Sequence, residues 1–285
     1  YFVRRGPAEG GTWQPTSWRT YVSEVRTAAR ALIALGVKPG GTVCILGFNR
    51  PEWIIMDIAA MAVGGAPAGI YTTCSAEEVQ YIIGHAESQV VLLEDLGQWE
   101  KVQAKRKELP MLEHVVMMKD APAIDDPMVM SWDEFMAKAD GVEEQEVDQH
   151  IAKLDPEGIA TLIYTSGTTG PPKGVMLTHK NLAWTSQIAQ GLVGLRAHDC
   201  SLSYLPLSHI AEQMFSIHGP VTAGASVYFA ESIERVPDNV KEVQPTIFFG
   251  VPRIWEKFYS GVSSKLDGAT GTKAKLVAWA RGVGA

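Results

Sequence analysis

Cysteine is scarce in this chain: Cys44, Cys74 and Cys200 are the only three among 285 residues. They are widely spaced, with no CxxC pair and no Cys/His cluster, so no zinc site is expected. They read as reduced, mostly buried thiols of a cytosolic-type compartment. Long apolar runs are missing too. The longest uncharged, apolar-rich stretch, Ile58 to Ile70, is short, interrupted by glycines and broken by Pro67, so no transmembrane helix is expected. Positive charge is in deficit, with 25 Lys and Arg against 32 Asp and Glu and a formal net charge of −7. That balance argues against a nucleic-acid binder working through a general basic surface. It also means that an anionic substrate must be drawn in by a local cationic site. The chain does not begin with Met, and no signal peptide, internal repeat or low-complexity segment is expected in it. The chain opens at Tyr1-Phe2-Val3-Arg4-Arg5 and stops after a helical stretch, and an internal fragment cut at both ends is expected.

What is present is globular. Hydrophobic residues make up 46% and charged residues 20%, which excludes wholesale disorder. The length allows one large domain or two, with about 75% of the unfolded surface buried on folding. Periodicity predicts helix over 17–35, with Tyr21, Val25, Ala28, Leu32 and Leu35 on one stripe and Gly36 as its stop. It then predicts strand 42–46, a helix opened by Asn49-Arg50-Pro51 and running to Ala62, and strand 66–70. Ser75-Ala76-Glu77-Glu78 is a capping box for a helix to His85, which accounts for its acidic pair without a catalytic role. Strand 89–93, helix 96–109, strand 114–118 and a second capping box at Ser131 follow. This alternation implies a largely parallel sheet with helices on its faces. The acidic run 143–148 is expected to be a solvated connector, which places a seam near 140–156 between subdomains 1–152 and 153–285. The second half is again α/β. Thr178 caps a helix to about 192, with His179 in its first turn. Strand-like 203–205, helix 208–221 up to a Pro220 break, strand 225–230, helix 236–243, strand 246–249, helix 252–260 and helix 273–281 anchored by Trp279 complete it.

The stretch that carries chemistry is Tyr164-Thr165-Ser166-Gly167-Thr168-Thr169-Gly170-Pro171-Pro172-Lys173-Gly174. It lies between the apolar runs Gly158–Ile163 and Val175–Leu177. Its glycines let backbone N–H groups approach an anion, and its hydroxyls and Lys173 can donate to phosphate oxygens. The plainer alternative is a Gly-Pro hairpin loop rich in turn residues. A Walker A loop is excluded, because Pro172 stands where that pattern needs Gly before the Lys.

The string Thr-Ser-Gly-Thr-Thr-Gly-x-Pro-Lys-Gly, matched at every position by Thr165–Gly174, resembles the signature of the adenylate-forming superfamily of acyl-CoA synthetases, luciferases and peptide-synthetase adenylation domains. The downstream strings Ser203-Tyr204-Leu205-Pro206-Leu207-Ser208-His209-Ile210-Ala211-Glu212 and Gly250-Val251-Pro252-Arg253-Ile254-Trp255-Glu256-Lys257 resemble the bubblegum-type long-chain fatty acyl-CoA synthetases. Leu35–Gly40 and Asn49-Arg50-Pro51-Glu52-Trp53 are similar to the superfamily's N-terminal domain, so the resemblance spans essentially the whole chain. It implies stacked sheet-and-helix subdomains, with the loop exposed at the seam where ligands bind. It implies ATP-dependent conversion of a fatty acid to an acyl-adenylate and then, with coenzyme A, to an acyl-CoA. It assigns phosphate binding to Thr165, Ser166, Gly167, Thr168, Thr169, Gly170, Lys173 and Gly174. Catalytic roles fall to Lys173 and to His209, which lies beside the carboxylate and adenylate pocket in such enzymes. A core His satisfied by a backbone carbonyl is the alternative for His209.

Some long-chain members carry a gating aromatic about four residues after this His, where this chain has Gln213. Arg253 and Trp255 invite tunnel or nucleotide roles, against which stand surface pairing for Arg253 and packing for Trp255. The Mg²⁺-binding Glu of Tyr-Gly-x-Thr-Glu, the ribose-binding Thr-Gly-Asp and the C-terminal domain with its catalytic Lys have no counterpart in these residues. The fragment alone is therefore expected to complete neither half-reaction. An enzyme of insoluble fatty acids is compatible with peripheral contact at the cytoplasmic face of a membrane, although no residue here encodes an anchor. A ligase for an aryl, shorter or amino acid, or a non-catalytic nucleotide- or acyl-binding module, are the competing readings.

Overall fold

The computed structural model describes residues 2–5, 11–165 and 170–283, with the backbone alone at 2–5. The chain divides into a large unit to Ile247 and a small one from Phe248. Eleven strands of the large unit are described, in two sheets. The seven-stranded sheet contains β3 (Thr42–Leu46), β4 (Ala66–Ile70), β5 (Val90–Leu93), β6 (His114–Met117), β7 (Val129–Ser131), β8 (Ile159–Thr165) and β9 (Lys173–Thr178), in the order β7-β6-β5-β3-β4-β8-β9. All its pairings are parallel except the β8–β9 hairpin. The four-stranded sheet runs β10-β11-β1-β2, from β1 (Phe2–Arg5), β2 (Trp13–Thr16), β10 (Cys200–Ser203) and β11 (Ser226–Phe229). The sheets therefore cross the expected 152/153 boundary in both directions: β8 and β9 join the first sheet, while β1 and β2 join the second.

Side-chain alternation explains the layering. On β3, Val43 and Ile45 enter one core while Cys44 and Leu46 enter the other, and β5 divides Val90 and Leu92 from Val91 and Leu93 in the same way. One core also takes α1 (Trp18–Ala34), α2 (Pro51–Ala62), Val227 and Phe229, so these helices fill the space between the two sheets. The other core takes α3 (Ala76–His85) and α4 (Leu96–Lys105) on the opposite face. Strands buried on both faces must be apolar throughout, which is why the sequence shows runs rather than alternation.

The helix starts follow their caps. Ser17, Ser75, Ser131 and Thr178 each accept from a first-turn N–H of α1, α3, α5 (Trp132–Ala137) and α7 (His179–Val193). Five expectations fail, the first being a strand at 203–205, since β10 ends at Ser203 and residues 204 and 205 lie beyond it. Residues 144–152 form a helix, α6 (Glu144–Ala152), in place of a solvated connector. Its one buried apolar residue, Val147, and the Arg26–Asp148 ion pair at 2.9 Å are too sparse a pattern to read among six acidic and amide neighbours. Pro220 does not end its helix. Helical backbone runs from α8 (Ile210–Gln213) through a wide π turn at Met214–His218 into α9 (Gly219–Ala223), which places Pro220 in a new first turn. Residues 246–249 form no strand. Beyond α10 (Val236–Val243) the Thr246 side chain accepts from Cys200 N, and a single backbone bond, Ile247 N to Cys200 O, follows. In the small unit, α11 (Pro252–Asp267) and α12 (Gly271–Val283) are joined by Arg281–Asp267 at 2.8 Å. Trp279 on α12 is 65% exposed, against the expectation of an apolar anchor. Of the three thiols, Cys44 is buried, and Cys74 and Cys200 are half-buried.

Candidate functional site at the carboxyl ends of the strands

The phosphate-loop candidate is the turn of the β8–β9 hairpin. Thr165 and Lys173 face each other as its last paired residues, both exposed. Ser166, Gly167, Thr168 and Thr169 lie outside the described residues. Gly170 has φ +101°, a conformation that only glycine adopts without strain. The Lys173 side chain has no hydrogen bond or ion pair among the described residues. Gly174 fits closely, since a Cβ there would stand 3.2 Å from the Tyr164 ring and the ring would have to give by a few tenths of an ångström. The Tyr164 hydroxyl lies 2.9 Å from His85 Nδ1, and Tyr81 stacks on His85, so the hairpin base is tied to α3.

His209 caps α8. Its Nδ1 accepts from Ala211 N at 3.1 Å, so the neutral ring carries its proton on Nε2. The ring is exposed, which removes the alternative of a satisfied core His. Its backbone is held close to the sheet. A Cβ on Gly69 would lie 2.7 Å from Ser208 Cα, so only glycine at this place on β4 lets the 204–209 loop lie against the strand. The Tyr71 hydroxyl bonds Ser208 as well. Gly69 pairs with Ile163 on β8, two residues before Thr165. His209 and the base of the hairpin at Thr165 and Lys173 thus lie toward the carboxyl ends of β4 and β8, where ligands of open parallel sheets bind.

A buried polar cluster underlies the loop. Glu212 Oε1 accepts from Ser203 Oγ at 2.8 Å, Ser216 Oγ at 2.7 Å and Tyr204 N at 3.2 Å. Burial pushes its carboxyl up to about 7, against the opposing pull of these hydrogen bonds. Asn49, just past β3, donates to Ser203 Oγ at 2.8 Å and to Leu205 O at 2.7 Å. Gln213 is buried and donates to Leu207 O at 2.9 Å, so the residue at the gating position serves as a loop anchor. In the small unit, Trp255 donates to Gly250 O at 2.9 Å and packs edge-on against Phe248 and Phe258, and Arg253 is exposed. Glu77 and Glu78 open α3 and His179 opens α7, as first-turn helix residues. Among the described residues no three His, Cys, Asp or Glu side chains are arranged to hold a metal. They do not by themselves make the implied Mg²⁺ site. No described helix is long and apolar enough to cross a membrane.

Sequence reasoning passed over Asn49, Gly69, His85 and Glu212 as site-supporting residues. A carboxylate three residues after the motif His, in an otherwise apolar turn, was the one available signal.

The chain thus joins a largely parallel α/β sheet to a glycine-rich hairpin and an exposed imidazole at the sheet's carboxyl edge. The chain belongs to the AMP-binding enzyme family, whose model matches residues 3–280. It is 38% identical to the long-chain-fatty-acid–CoA ligase ACSBG2 of Xenopus laevis, over 99% of this chain and 39% of that protein. It is 36% identical to the human long-chain-fatty-acid–CoA ligase ACSBG1, over 95% of this chain and 38% of that protein. The chain therefore spans about two fifths of these relatives' length. Among solved structures it is similar to the anthranilate CoA ligase AuaEII in complex with anthranoyl-AMP, at 26% identity and TM-score 0.70, covering 81% of this chain and 44% of that one. ATP-bound MatB from Rhodopseudomonas palustris shares the fold, at 22% identity and TM-score 0.70 over 90% of this chain and 47% of that one.

Proposed function

We propose that the full-length protein containing this chain activates a long-chain fatty acid with ATP, forming an acyl-adenylate and then an acyl-CoA. The observation that carries this reading is the identity of 34–38% to long-chain-fatty-acid–CoA ligases across at least 95% of the chain. In the first step the fatty carboxylate oxygen bonds to the α-phosphorus of ATP, the bond to the β-phosphate breaks, and pyrophosphate leaves. Negative charge shifts onto the leaving phosphates, where preplaced donors stabilise it best. Thr165, Ser166, Thr168, Thr169 and Lys173 supply those donors, and Gly167, Gly170 and Gly174 let the loop close and reopen. His209 offers Nε2–H to a carboxylate or ribophosphate oxygen. In the second step the coenzyme A sulfur, having lost its proton, bonds to the acyl carbonyl and AMP departs. Mg²⁺, when bound to ATP, supplies charge neutralisation of the phosphates.

The test is ATP–pyrophosphate exchange by the full-length protein, dependent on an added carboxylic acid. A long-chain saturated acid is expected to support exchange, and anthranilate is not. Exchange driven by anthranilate alone would move the reading to an aryl ligase, as the likeness to AuaEII suggests. Absence of exchange with every acid would favour a binding module.

A further inference from the structure

We propose that Asn49 and Glu212 are positioning residues, which hold the 204–209 loop and through it the His209 imidazole. The kinetic consequence rests on the adenylation reading. Asn49, Glu212, Ser203 and Ser216 are each 3% exposed or less. One oxygen, Glu212 Oε1, gathers two hydroxyls and one backbone N–H, and Asn49 Nδ2 lies 3.4 Å away. The partners come from separate places. Asn49 follows β3 of the seven-stranded sheet, Ser203 ends β10 of the four-stranded sheet, and Ser216 sits in the π turn after His209. The carboxylate therefore joins the ends of two sheets to the helix that His209 caps.

Asn49 fixes the start of the loop at Leu205 O, Gln213 fixes Leu207 O, and Gly69 and Tyr71 receive Ser208. No residue between Tyr204 and Ser208 can move far without breaking one of these contacts. A buried carboxylate is an expensive way to hold a fold, because apolar residues of the same volume often do as well or better. It is an effective way to hold an orientation, since hydrogen bonds are directional where apolar packing is not. The wide turn at Met214–His218 fits the same role. It brings Ser216 onto the same oxygen as Ser203, and π turns recur where a helix is shaped around a site.

A positioning role predicts that the effect of Asn49 and Glu212 passes through His209. In the full-length protein, Asn49→Ala and Glu212→Ala are expected to lower kcat for fatty-acid-dependent exchange by about 10-fold to 100-fold, the loss that follows misplacement of a reacting group by about 1 Å. KM for ATP, which is bound by the hairpin loop, is expected to change by less than about threefold. Glu212→Gln retains an acceptor oxygen for Ser203, Ser216 and Tyr204 and is expected to recover most of the loss. Combined with His209→Ala, neither Asn49→Ala nor Glu212→Ala is expected to lower kcat further, whereas a purely structural role lowers it in both backgrounds. Full additivity in that cycle overturns the proposal. A second measurement needs no turnover: the ring resonances of His209 in the full-length protein with labelled histidine, read by NMR. Asn49→Ala and Glu212→Ala are each expected to shift His209 and leave His114 on β6 in place. Unmoved His209 resonances in both overturn the proposal whether or not the protein adenylates. Absence of exchange in the wild-type protein removes the adenylation reading alone.

Discussion

Asp57 offers a sharp test of the energetics of the central layer. It lies on α2, fully buried, and neither carboxyl oxygen has a hydrogen-bond partner among the described residues. Burial raises its carboxyl from 3.8 to about 8, and Tyr21 across from it is pushed up by the same burial and then by Asp57 itself. At pH 7 the folded protein therefore holds Asp57 protonated, while the unfolded chain ionises it. Because the folded value is raised, the stability this group contributes is fully present below 3.8 and is lost as pH rises towards 8. At pH 7, about 3 pH units above the unfolded value at about 1.4 kcal/mol each, the loss is about 4 kcal/mol. Asp57→Asn keeps the volume and removes the titration. Its buried amide costs about 1–2 kcal/mol in unmade hydrogen bonds, which leaves a net gain of about 2–3 kcal/mol at pH 7. Urea unfolding at pH 5, 7 and 8.5, followed by fluorescence of the buried Trp53 one helical turn away, measures it. The variant should match the wild type near pH 5 and pull ahead steadily up to pH 8. A stability difference that stays the same from pH 5 to pH 8.5, or a variant less stable at pH 8.5, refutes the reasoning.

Three further outcomes are expected. Gly69→Ala sets a Cβ 2.7 Å from Ser208 Cα, where backbone must move, so a loss of about 1–3 kcal/mol in unfolding free energy should accompany a fall in exchange activity. Lys173→Ala and Thr168→Ala in the full-length protein should each weaken adenylation by at least tenfold in kcat/KM, and unchanged exchange kinetics in both would remove the hairpin loop from the mechanism. Ser75→Ala breaks a capping box in which Ser75 and Glu78 serve each other, and thermal unfolding should show a loss of about 1 kcal/mol.

The sequence alone was sufficient wherever the deciding physics is local. Strand 42–46, the helix 51–62 and strand 66–70 stand where periodicity places them, because a strand buried on both faces must be an apolar run and Pro51 can only begin a helix. Caps at Ser75, Ser131 and Thr178 were legible for the same reason: side chain and N–H lie within three residues. The family, too, was written in ten consecutive residues, Thr165–Gly174. Tertiary structure decided what depends on partners far along the chain. Residues 144–152 are helical because Arg26 and the Val147 pocket receive them, and Pro220 is tolerated because the π turn before it restarts the helix. It also decided how the two sheets share the chain, and why position 213 holds a buried amide. The loop at Thr165–Gly174 could be read from its own residues. The seat of His209 could not, because its neighbour Glu212 works with Asn49, Gly69 and Tyr71, which are distant in sequence and brought in by hydrogen bonds and one glycine's missing Cβ.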